Sequence, residues 1–90
     1  MAHFLLTYDL HVKRDYDKLY KLMADWGAVR LVESVWLASL NGSAPSVRNA
    51  MVAACDTDDG IAVIELKSKS DWATTRGVYK LGADWLEANL

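Results

Sequence analysis

One carboxylate stands where few are found. Residues 4–10 read Phe-Leu-Leu-Thr-Tyr-Asp-Leu, six good strand formers with Asp9 near the end. A short apolar run of this kind is expected as a buried central strand. An acid at the carboxyl end of such a strand points toward the region where open α/β sheets place their ligands. Asp9 therefore has two readings. It is a ligand for a divalent cation, or it caps the first helix and closes the strand-to-helix turn. His11, two residues on, is either a general base near neutral pH or, as is commoner, a surface histidine in a loop. The guanidinium of Arg30 suits a phosphate clamp, or pairs with Asp9 or Glu33 as structural charge. Lys13, Arg14, Lys18 and Lys21 form a basic patch that Asp15 and Asp17 dilute; a phosphate-contacting surface and a solvated helix face are both open. Ser34 lacks the Gly-x-Ser-x-Gly setting of a nucleophile and reads as a bend residue. Asp56, Asp58 and Asp59 fail as a calcium loop: counted from Asp56, the fifth place is Gly60 and the twelfth Lys67, so they read as a solvated turn.

The elements that would position these residues follow from pattern. Leu19, Leu22, Met23 and Trp26 recur at helical spacing and predict a helix over residues 15–26, stopped by Gly27. Residues 28–40 are rich in Val, Leu and Trp but long for one strand, which predicts two strands with a bend at Glu33 and Ser34. Ser43 and Pro45 start a second helix that runs to about Cys55, with Val47, Met51, Val52 and Cys55 as its apolar stripe. Residues 61–66 form another strand, residues 67–76 a polar irregular stretch, and residues 82–90 a short helix with Trp85, Leu86 and Leu90 on one side.

The order β, α, β, β, α, β plus a tail predicts an α+β, ferredoxin-like sandwich with a short C-terminal extension. Both main helices then lie on one sheet face and none is left for the other. The apolar share is 52%, with four Trp and four Tyr in 90 residues, which is much to hide in one small domain. We expect a homodimer in which the bare face is buried. The net charge of −2 gives no basic field of the sort that marks nucleic-acid binders, and the single cysteine allows no internal disulfide. With no secretory leader pattern and no membrane-spanning run, the expected setting is cytoplasmic.

Tyr8-Asp9-Leu10 closing the first strand, Gly27 closing the first helix, and Arg30 followed at four and six residues by Ser34 and Trp36 together resemble the CRISPR-associated Cas2 proteins and the wider Cas2-like group that includes VapD toxins. The tail pair Trp85-Leu86 is more like the wider group. Val32 stands where the family usually has glutamine, and Tyr16 and Lys18 where several members have arginines. The resemblance implies a ferredoxin-fold homodimer with Asp9 of each subunit near the twofold axis, sharing Mg or Mn. It also implies metal-dependent cleavage of RNA or DNA in a CRISPR, toxin or phage-defence setting, with Arg30, Lys13 and Arg14 on phosphates and Tyr8, Ser34 and Trp36 as motif residues. The alternative is a non-catalytic dimeric module that binds another protein.

Overall fold

The computed structural model describes residues 1–10, 16–56 and 58–90. Its order is β1 (Ala2–Asp9), α1 (Asp17–Asp25), β2 (Val29–Val32), β3 (Val35–Leu40), α2 (Ala44–Ala53), β4 (Gly60–Leu66) and α3 (Lys80–Asn89). The four strands form one antiparallel sheet in the order β2-β3-β1-β4.

Register decides which side chains share a face. Leu6 lies opposite Trp36 on β3 and Val63 on β4, and Arg30 on β2 lies opposite Trp36. That row faces α1 and α2, because strand side chains alternate and Phe4, Leu6 and Tyr8 are buried in the core with Leu19, Met23, Ala38, Val47 and Met51. β1 is central, as its composition predicts, but it is buried fully on this face alone. Leu5 and Thr7 on the other face are half-buried.

The helix boundaries have local causes. Past the end of α1, Gly27 takes φ +65, and the Ala28 N–H reaches back to the Met23 carbonyl at 3.0 Å. This is the left-handed termination that glycine permits. Ser43 and Ser46 cap α2 reciprocally: the Ser43 hydroxyl accepts from Ser46 N–H at 3.3 Å and the Ser46 hydroxyl accepts from Ser43 N–H at 3.0 Å. Two expectations need correction. Val52 does not join the buried stripe of α2; it is 44% exposed, one position too far around the helix from Met51. The second sheet face is not bare either, since α3 packs against β2 and β3.

α3 starts at Lys80, so Gly82 lies inside it and is not its beginning. A Cβ there would stand 2.6 Å from the Arg30 carbonyl oxygen and 2.7 Å from the Leu31 Cα. The helix comes this close to β2 because residue 82 has no side chain. Tyr79 N–H donates to the Leu31 carbonyl at 3.0 Å, Leu86 is buried, and the His3 and Trp85 rings meet edge to face at 5.3 Å. The tail thus docks on the sheet of its own chain. Among the described residues, no helix is long and apolar enough to cross a membrane.

Candidate functional site

The motif residues converge. Tyr8 from β1 and Trp36 from β3 come from adjacent strands on the α1 face, and the Trp36 indole N–H donates to the Tyr8 hydroxyl at 3.1 Å. Arg30, next across on β2, extends over Trp36 with its guanidinium carbon 4.8 Å from the ring centroid. Tyr20 of α1 comes down on the same group at 4.9 Å and accepts a 2.6 Å hydrogen bond from the Arg30 Nη2. Tyr79, just ahead of α3, adds a third ring at 5.9 Å. A planar guanidinium stacks on aromatic faces where an ammonium would sit as a point charge. Its Nε is buried with no hydrogen-bond partner among the described residues.

The electrostatics fit this packing. Burial pushes the Tyr8 hydroxyl above its ordinary range, and the hydrogen bonds from Trp36 and Arg30 only partly offset that. Burial acts to lower the Arg30 pKa, but interaction with the Tyr8 and Tyr20 hydroxyls outweighs it and the net shift is upward. Arg30 is therefore a fixed positive charge. Its contacts are with the Tyr20, Trp36 and Tyr79 rings and the Tyr20 hydroxyl, where the sequence offered the Asp9 or Glu33 carboxylate.

Asp9 closes β1 opposite Gly60 and is exposed. With Glu33 and Ser34 of the β2–β3 turn and the rings of Tyr8, Tyr16 and Tyr20, it lines a cleft of about 250 Å³. Ser34 is the bend residue the sequence predicts. His11, Lys13, Arg14 and Asp15 lie outside the described residues.

Whether the chain suits a divalent cation depends on its donor set. Among the described residues, no group of three His, Cys, Asp or Glu side chains is placed to hold a metal ion. Asp9 and Glu33 share a cleft, but two carboxylates fall short of the oxygen shell that Mg or Mn requires. The described residues of one chain do not by themselves fit the metal. The acidic turn is accounted for locally, as the Asp59 carboxylate accepts from the Asp56 N–H at 2.8 Å. Cys55 is half-buried, and burial together with Asp59 and Asp56 raises its thiol pKa, which favours the unreactive protonated form.

Sequence reasoning singled out Tyr8, Arg30 and Trp36, and the structure brings all three together. It did not single out Tyr20, Tyr16 or Tyr79 as their partners. Tyr16 and Tyr20 stack at 5.3 Å with 21° between ring planes. Their i, i+4 spacing is the pattern that places two side chains on one helix face. Tyr79 carries no such mark, since only the docking of α3 brings it near Arg30.

No protein-family model matches this chain, and no solved structure matches it significantly.

Proposed function

We propose that the protein is a ferredoxin-like, Cas2-like homodimer that serves as a non-catalytic assembly module, joined through the half of the sheet that α3 leaves open. The element order and the strand order β2-β3-β1-β4, with two interleaved βαβ units, support the ferredoxin-like reading. The observation that carries the dimer is an apolar strip. On the face away from α1 and α2, the β1–β4 half presents Leu5, Thr7, Ala62 and Ile64, and Ile64 is 53% exposed in mid-strand. A β-branched residue at the middle of a strand, standing on a small-residue surface, is best buried against a second sheet. Engagement of Arg30 by Tyr20 and Trp36 favours a structural role for the motif arginine over a phosphate clamp.

Sedimentation at low micromolar concentration should give about twice the 10.0 kDa chain mass. Ile64→Lys places a charge at the centre of the strip and should give a folded monomer. A monomeric wild type would overturn the dimer.

A second reading is favoured by the position of Asp9. It lies at the end of the same strip, so a twofold axis at that end would bring both Asp9 carboxylates together and add a second chain's donors to the described ones of the first. The dimer would then be a divalent-metal-dependent endonuclease acting on RNA or DNA, with Mg or Mn as the ion. Manganese should raise the melting temperature of the wild type, and Asp9→Asn should abolish both that shift and cleavage of single-stranded RNA or double-stranded DNA. Cleavage that survives Asp9→Asn would sink the nuclease reading. Absence of both shift and cleavage in the wild type would leave the assembly module.

A further inference from the structure

α3 turns the open half of the sheet into a corner. It lies on β2 and β3, and its Trp85 ring meets His3, which shares the outer face of β1 with Leu5 and Thr7. Trp85 thereby marks the flank of α3 that looks toward β1 and β4. Leu81, four residues before it, and Ala88, three after, fall on the same flank. Leu81 is 69% exposed, and Ala88 is exposed too. The floor of the corner is the strip of Leu5, Thr7, Ala62 and Ile64. Ala62 and Ile64 are exposed, so no described residue closes over them. The outer rim of the floor is β4, seven residues long and, among the described residues, without a strand neighbour on its far side.

This shape restricts what can fill it. The occupant must be one layer thick, apolar where it meets the floor, and bounded by an edge that a helix can cover. The β1–β4 half of a second copy has all three properties. A twofold axis between β1 and β4, running along the strands, lays each half-sheet on the other. Leu5 then faces Ile64 of the partner subunit, and Thr7 faces Ala62 of the partner subunit. Paired sheets stand about 10 Å apart and a helix is about 10 Å across, so α3 and the partner's sheet share one layer. The flank of α3 then abuts the partner's β4 edge. An axis at right angles to the strands fails, because it would set the partner's β2 and β3 on α3, which already fills that layer.

We propose that the two chains of the dimer interlock, α3 of each covering the β4 edge of the other through Leu81, Trp85 and Ala88. Covering an edge strand with a helix is a general protection against further pairing, and here the cover comes from the other chain. The arrangement rests on the dimer proposed above and adds α3 to its interface.

Sedimentation equilibrium of the full chain reads the first consequence. Leu81→Lys places a charge on the flank, and a side chain already so exposed should leave the fold of the single chain intact. The dimer dissociation constant should rise at least about tenfold. Val52→Lys, at an exposed apolar site on α2, should leave it unchanged. A cross-link reads the second consequence. In a Cys55→Ala background, Leu81→Cys combined with Ala62→Cys should oxidise to a disulfide-linked pair of chains, and neither single variant should. Within one chain that bond cannot form, since β2, on which α3 is seated, and β4 lie three strand spacings apart, roughly 14 Å. A dimer that is indifferent to Leu81→Lys, or a double variant that stays unlinked, would overturn the interlock and leave the dimer standing. A wild type that sediments at 10.0 kDa would overturn both.

Discussion

Gly82→Ala should destabilise the protein, although alanine ordinarily improves a helix interior by about 1 kcal/mol over glycine. The new methyl would stand 2.6 Å from the Arg30 carbonyl oxygen and 2.7 Å from the Leu31 Cα. Both atoms belong to the backbone of β2, which cannot swing aside as a side chain can. Relief requires α3 to lift from the sheet, stretching the 3.0 Å bond from Tyr79 N–H to the Leu31 carbonyl and loosening the seat of Leu86. Overpacking of this kind costs about 1–3 kcal/mol, and in a chain of this size each kcal/mol lowers the melting temperature by about 4–8 °C. Thermal melts followed by circular dichroism read the effect directly. Glu87→Ala, on the exposed side of the same helix, should leave the midpoint in place. A higher midpoint for Gly82→Ala would mean that α3 is not held against β2.

Phe4→Ala should have the largest effect of any single truncation. Phe4 is fully buried in the central strand, with Ala38 opposite it on β3 and Glu65 on β4. Its nearest cross-strand neighbour in the core is thus an alanine, and Phe4 fills the space between sheet and helices at that level. Little nearby can collapse into the cavity its loss would leave. Phenylalanine-to-alanine changes in cores cost about 3–5 kcal/mol. Domains of this length have a total stability of roughly 5–13 kcal/mol. The urea midpoint should fall by about a quarter or more, and Phe4→Leu should recover most of it. A loss below about 1 kcal/mol would show that the core reorganises around the gap.

The main sandwich was legible because its signals are local. Leu19 and Met23 recur at helical spacing, Gly27 supplies a left-handed stop, and Ser43 with Pro45 starts α2; each acts within a few residues. The split of residues 28–40 followed from length alone and fell at Glu33 and Ser34. What escaped was non-local. Gly82 reads as a helix start until β2 is placed beneath it, because its purpose lies in a backbone some fifty residues earlier in the chain. Covering β2 and β3 with α3 depends on that approach, and so does the arrival of Tyr79 at Arg30. The site was half legible for the same reason. Only the resemblance to the Cas2-like group marks Tyr8, Arg30 and Trp36 as a set, and their packing depends on Tyr20 from another element. Arg30 was open to phosphate, Asp9 and Glu33 on paper, and the rings of Tyr20 and Trp36 that stand against it could not be read from its own neighbours in sequence.

The two edges of the sheet are unequal. β2 is four residues long, its pairing with β3 is irregular between Arg30 and Val32, and its Leu31 carbonyl is taken by Tyr79. β4 is seven residues long and, among the described residues, has a strand neighbour on one side only. Continuous sheet growth from chain to chain needs a donor edge and an acceptor edge on every copy. With β2 blunted, one copy can add to another only β4 against β4, and that pairing uses up both growing ends at once. Were copies to meet edge to edge, the blunt β2 edge would bar continuous growth and leave β4 against β4 as the one pairing open to them.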